Sequence, residues 1–148
     1  MTAETSVFVD SNVFLYKLYA NDPRKQAAAD KWIAAIWDGH AGRISWQVIH
    51  EFYYNAVRKL HIPVATAREF AEQLLELRPE AVYFDTVQRA WGWCDHAQLS
   101  YWDGLIVAAA EQAGCRWLLS EDFQSGRRYG TVTVVNPFEH DAAEFGFS

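Results

Sequence analysis

Asp10, Glu51, Asp103 and Asp122 are four carboxylates far apart in the chain, each framed by apolar residues. Asp10 closes the run Ser6-Val7-Phe8-Val9, and Glu51 sits between Ile49 and Phe52. Asp103 opens the stretch Gly104 to Ala113, and Asp122 follows Trp117-Leu118-Leu119. Carboxylates brought together repel one another strongly enough that a cation normally intervenes. A donor set of oxygens without His or Cys selects a hard ion, Mg²⁺ or Mn²⁺. Such a site suits phosphodiester hydrolysis, because the ion lowers the pKa of water and neutralises charge building on the non-bridging oxygens. On this reading Asp10, Asp103 and Asp122 ligate metal, with Asp122 and Glu51 placed to serve a second ion or to orient the water. Asn12 and Ser120 would donate hydrogen bonds that position these acids.

Each acid also has a plainer reading. Asp10 is a natural N-cap for the helix that follows it, and Ser100-x-x-Asp103 matches a capping box. Glu51 shares a helical stripe with Gln47, Asn55 and Arg58, which a solvated face explains equally well. Helix dipoles favour acids at helix starts without any function. Spacing alone does not choose between these accounts.

The elements that must carry the acids follow from periodicity and punctuation. A strand over residues 6–9 feeds a short helix, and Pro23 begins an amphipathic helix running to residue 38. Residues 42–45 form a short second strand, followed by a helix from about Trp46 to Leu60. Thr66-Ala67-Arg68-Glu69 reads as a capping box starting a helix to about Leu77. Ala81-Val82-Tyr83-Phe84 reads as a strand, and residues 85–98 as a helix. A small-residue helix spans Gly104 to Ala113, with Gly114 as its stop. Residues 115–119 and 131–135 are apolar strands, separated by a loop in which Gly126 and Gly130 bracket Arg127 and Arg128. Residues 139–148 look like a loosely attached tail. Strands alternating with helices argue for an α/β fold with a mostly parallel sheet covered on both faces. Ligands of such sheets bind beyond the carboxyl ends of the strands, which is where Asp10 and Asp122 fall.

At 148 residues the chain fits one domain, 1–148, able to bury a core without staples. Cys94 and Cys115 are too few for a disulfide framework and lack Cys-x-x-Cys spacing, which suits a reducing compartment. Glu4 stands where a signal peptide wants positive charge, and no apolar run approaches the roughly 18 residues of a membrane span. A cytoplasmic protein without membrane attachment is expected. The net charge of −6 argues against a broad basic surface for nucleic acid. Docking of a nucleic acid would then be local, through cations such as Arg24, Lys25, Arg58, Lys59, Arg127 and Arg128, or metal-assisted. Seven tryptophans exceed what so small a core easily holds, so some are expected at a partner or dimer interface.

The segments VFVDSNVFLY at 7–16, SWQVIHEF at 45–52, SYWDGLIVAAA at 100–110 and LLSEDF at 118–123, closed by VVNPF at 134–138, resemble the PIN-domain ribonucleases. Within that family the sequence is most similar to the VapC-type toxins of bacterial toxin–antitoxin pairs. The resemblance runs through nearly the whole chain in order. It implies a three-layer α/β/α sandwich, Mg²⁺- or Mn²⁺-dependent endonuclease action on RNA, homodimerisation and inhibition by a cognate antitoxin. Residue by residue, it places the family's four acids on Asp10, Glu51, Asp103 and Asp122, its hydroxyl position on Ser120 and its small polar position on Asn12. Glu121 is an additional carboxylate that the family pattern leaves without a part.

Two other readings start from the same residues. One is a receiver-type or phosphotransferase domain phosphorylated on Asp10, against which stand Asn12 in place of a second aspartate and the lack of a lysine after the later strands. The other is a non-catalytic protein-binding module in which the Trp-rich helix grips a partner and the acids are structural.

Overall fold

The apolar run at Val7–Val9 (β1) is fully buried and pairs in parallel with strands on both of its sides. The computed structural model describes residues 6–147. After β1 come the helices Ser11–Leu18 (α1) and Pro23–Asp38 (α2), the strand Gly42–Arg43 (β2), and the helices Trp46–Arg58 (α3) and Val64–Gln73 (α4). A 3₁₀ turn over Leu74–Leu77 leads to Phe84–Ala97 (α5) and Tyr101–Gln112 (α6). The strands Trp117–Leu119 (β3), Arg128–Tyr129 (β4) and Val132–Val135 (β5) complete the sheet.

The sheet order is β2-β1-β3-β5-β4, parallel except for the antiparallel edge strand β4. The chain leaves β1 toward β2 but returns past β1 to reach β3. Right-handed crossovers in opposite directions place α2 and α6 on opposite faces, giving the layered α/β architecture expected from the sequence. β1 and β3 are therefore central neighbours whose following segments diverge. Their carboxyl ends form a topological switch point, the usual ligand crevice of an open parallel sheet.

The core explains why α6 is so uniformly small and apolar. Gly104 through Ala110 are all buried, because this helix packs on β3 and β5 with one side and on α5 with the other. At Gly104 the α5 backbone comes so close that a Cβ would stand 2.8 Å from the Ala90 carbonyl oxygen. Backbone cannot swing aside as a side-chain tip can, so we expect Gly104→Ala to destabilise the fold by ~1–3 kcal/mol, as overpacking does. A urea midpoint equal to that of the wild type would refute this reading of the contact.

Four sequence expectations are corrected. Residues 81–84 form no strand: only Glu80 makes a single bridge to Ser45, Val82 and Tyr83 lie exposed, and Phe84 already starts α5. The Thr66-x-x-Glu69 capping box is not used, because α4 begins at Val64 behind Pro63, whose carbonyl accepts from the Ala67 N–H. The loop carrying Arg127 and Arg128 contains β4, turned back onto β5 through Gly130 at φ +62°, a left-handed conformation that glycine adopts without strain. The tail is not loose over residues 139–147. The Trp32 indole N–H donates to the carbonyls of Pro137 and His140, Phe145 packs edge-on against Trp117, and Phe147 enters the core; Ser148 lies outside the described residues.

Candidate active site

Asp10 leaves the end of β1 while still tied to the sheet, its N–H donating to the Leu119 carbonyl. It is the N-cap of α1, as the plainer reading required: Oδ1 accepts from the Ser11 N–H at 2.8 Å. Capping and function are not alternatives here. The second oxygen, Oδ2, accepts the Ser120 hydroxyl at 2.7 Å from the end of neighbouring β3. Asp10 is only 4% exposed and Ser120 wholly buried. Burial pushes the Asp10 carboxyl from its ordinary 3.8 up to about 7, and the charges of Glu51 and Asp122 push the same way, against the pull of the Ser120 and Ser11 bonds.

Asn12 joins the two strand ends. Its amide nitrogen lies 3.1 Å from Asp122 Oδ2, 3.2 Å from Ser120 Oγ and 3.4 Å from Asp10 Oδ2, while its carbonyl oxygen accepts the Glu121 N–H. Ser120 Oγ also accepts the Asp122 N–H, fixing the turn that carries this acid. The carboxylate of Glu121 is held elsewhere, by the Tyr16 hydroxyl and the Lys25 ammonium, which also lies over the rings of Tyr16 and Phe138. Glu121 thus fastens the β3 end to α1 and α2.

Glu51 arrives from α3. Its two oxygens accept the Ser11 hydroxyl and the Gln47 amide, each at 3.3 Å. The same Gln47 amide donates to the Trp102 carbonyl at 3.1 Å and so links α3 to the start of α6. Asp103 sits there in the first turn, its N–H bonded to Ser100 Oγ, which is the half of the capping box that the structure keeps. Burial raises the carboxyls of both Glu51 and Asp103. Asp103 and Asp122 raise Glu51 further, and Asp122 raises Asp103 further. Charge repulsion thus reaches Asp10 from Glu51 and Asp122, Glu51 from Asp103 and Asp122, and Asp103 from Asp122.

Oxygen-only donors carrying mutually unfavourable charge are chemically suited to a divalent cation. Among the described residues, no three His, Cys, Asp or Glu side chains are grouped tightly enough to hold an ion as they stand. Asp10 and Asp122 share the Asn12 bridge, whereas Asp103 and Glu51 approach from the helical side. Among the described residues no lysine or arginine pairs with Asp10. Burial pushes the Cys115 thiol up to about 12, which leaves it inert as a nucleophile.

Residues 7–129 match the model of the PIN domain family. The chain belongs to the PIN family. PIN domains are nucleases that typically use divalent metal ions. In fold the PIN chain is similar to a solved toxin–antitoxin complex from Klebsiella pneumoniae, with a TM-score of 0.62 at 17% identity over 89% of this chain and 98% of that one. No curated protein matches the sequence. No helix among the described residues is long and apolar enough to cross a membrane.

Of the arginines singled out in the sequence, Arg127 stacks over Tyr129 at 4.9 Å, and Tyr129 also feels the charge of Asp103. Arg128 is exposed on β4, where neighbouring side chains alternate sides and turn it away from that pair. Sequence reasoning missed Ser11 as a partner of Glu51 and Trp102 as a partner of Gln47. The signal for Gln47 was present, four residues before Glu51 on one helix face. Nothing in the sequence marked the contact from Ser11, which spans forty residues.

Proposed function

We propose that this PIN protein is a Mg²⁺- or Mn²⁺-dependent endoribonuclease that acts as the toxin of a toxin–antitoxin pair. The observation that carries the reading is the meeting of Asp10 and Asp122 through Asn12 and Ser120 at the β1 and β3 ends, with Glu51 and Asp103 within electrostatic reach. Asp10, Asp103 and Asp122 would hold the cation. When bound, it neutralises charge on the phosphate and activates the attacking water. Ser120 and Ser11 hold Asp10 in one rotamer, and Asn12 sets Asp122 relative to it. Glu51, with its carboxyl raised, is placed to take the proton of that water. Arg127 would supply a phosphate contact at the rim, while Arg128 faces away from it. The solved complex that the chain resembles in fold supports a protein antitoxin as partner, and a homodimer and a cytoplasmic location accompany that assignment.

Cleavage of single-stranded RNA in Mn²⁺ tests this reading. Wild-type protein should cut, chelation of the metal should stop it, and Asp103→Ala should lower the rate by ~10²- to 10³-fold, as expected when an electrostatic element of the site is removed. Asp103 is the side chain to change because only its N–H is used in capping α6, so the helix keeps its Ser100 cap. Cleavage by Asp103→Ala at the wild-type rate would exclude the assignment.

A further inference from the structure

Beside Glu51 the surface opens into a recess of about 770 Å³ walled by Trp46, His50, Tyr54, Val82, Trp102 and Leu105. Trp102 is 62% exposed, Tyr54 58% and Trp46 42%, so these large rings stand in water rather than in the core. Large wet rings clustered together mark a recognition surface. Three observations bear on what occupies it.

The recess shares a wall with the acids, since Gln47 and Glu51 line both. The Gln47 amide bonds Glu51 and the Trp102 carbonyl together, and Trp102 immediately precedes Asp103. A nucleotide whose phosphate lies at the acids thus has a flanking base at the rings. Charge points the same way. The chain carries a net −6, and three of its cations, Lys17, Lys25 and Arg43, are already paired with Asp30, Glu121 and Glu80. Phosphate attraction is accordingly weak, and base stacking is the charge-neutral way to hold a single strand. Among the described residues no lysine or arginine lines the recess, and the one guanidinium against a wall ring is Arg58, over Tyr54 at 5.5 Å.

Resting on the ribonuclease reading above, we propose that Trp102 and Trp46 form a stacking platform for an unpaired base next to the scissile phosphodiester. They are specificity-determining residues for the base that flanks the cut.

The test is steady-state cleavage in Mn²⁺ of a short unstructured oligoribonucleotide, of the same oligonucleotide carrying one abasic ribose at each position in turn, and of its duplex. Trp102→Ala should raise KM by roughly 5- to 150-fold, the range for losing one stacked base. It should leave kcat nearly unchanged, while Trp102→Phe restores most of the loss. One abasic position should cost the wild type a similar factor and cost Trp102→Ala nothing more, because the same contact is already gone. The duplex should be cut poorly by both. Trp91→Ala, which removes an exposed ring on α5 outside the recess, should behave as wild type.

Unchanged KM in both Trp102→Ala and Trp46→Ala, or indifference to every abasic position, would overturn the proposal while leaving the nuclease reading intact. A loss of activity that tracks a change from dimer to monomer in sedimentation would overturn it in favour of a protein-covered face. Absence of any wild-type cleavage would overturn the nuclease reading and this inference with it.

Discussion

Replacing Asp10 with asparagine should make the metal-free protein more stable at neutral pH while abolishing its nuclease activity. The Asp10 carboxyl titrates at about 7 in the fold against an ordinary 3.8, so between those values the folded chain binds more protons than the unfolded one. Stability from this group is complete below about pH 4 and is lost as pH rises to about 7. The interval corresponds to ~4 kcal/mol as a ceiling. Ser120 loses a charged acceptor in the variant, which offsets about 1.5–3 kcal/mol of that gain. A net gain of ~1–2 kcal/mol above pH 7 remains, which at this chain length shifts the melting temperature by several degrees, at roughly 2–4 °C per kcal/mol.

Metal should reverse the order. A cation that binds the folded wild type at a hundred times its Kd adds ~2.7 kcal/mol, and Asp10→Asn forfeits most of that. Thermal melts of both proteins at pH 4 and pH 8, with chelator and with Mn²⁺, check the whole scheme. Because the variant lacks an acceptor for Ser120 at every pH, it should melt below the wild type at pH 4, above it at pH 8 with chelator, and below it again when Mn²⁺ is added. If the difference between variant and wild type does not depend on pH, Asp10 is comfortably ionised in the fold and the strain assigned to it does not exist.

Asp10, Asp103 and Asp122 were readable in the sequence because each ends or begins an apolar run, whereas Glu51 lies inside a helix. A buried strand must stop where its backbone reaches the sheet edge, so Asp10 and Asp122 announce one pole of a parallel sheet before any coordinates are known. Asp103 gives itself away less clearly, since Ser100 would invite an acid there in any helix. What spacing cannot carry is side-chain convergence across the chain. Ser11 meeting Glu51 depends on how α1 crosses α3, and neither helix records the other.

The misread segments share a physical cause. Ala81-Val82-Tyr83-Phe84 has strand composition, but the sheet edge at β2 offers it only the Ser45 to Glu80 bridge, so its rings stay wet. β4 is two residues long and exists because Gly130 turns the chain, which leaves no periodicity to detect. The tail is held by Trp32, more than a hundred residues earlier, whose indole N–H needs an acceptor once its ring is buried. In each case a partner distant in sequence decides the outcome over local propensity.

Asn12 is the position where that long-range convergence is most exposed to test. Its one amide group spans the ends of β1 and β3, with nitrogen toward Asp122, Ser120 and Asp10 and oxygen toward the Glu121 N–H. Asn12→Ala removes this bridge without touching the Asp10 cap of α1, so the fold should survive with a loss of about 0.5–1.5 kcal/mol, the worth of an ordinary hydrogen bond. Activity should fall further, by about 10- to 100-fold, the usual cost of deleting a group that orients ligands. Higher Mn²⁺ should recover part of the loss, because Asp122 remains present but is no longer held toward Asp10. Asn12→Asp separates orientation from charge. It keeps the shape and the acceptor for Glu121 but sets a fifth carboxylate against Asp10 and Asp122, so its metal-free form should melt below Asn12→Ala and be raised more by Mn²⁺. Equal activity of Asn12→Ala and wild type across the Mn²⁺ range would mean that the acids hold their places unaided, and the bridge would then be an ornament of the turn.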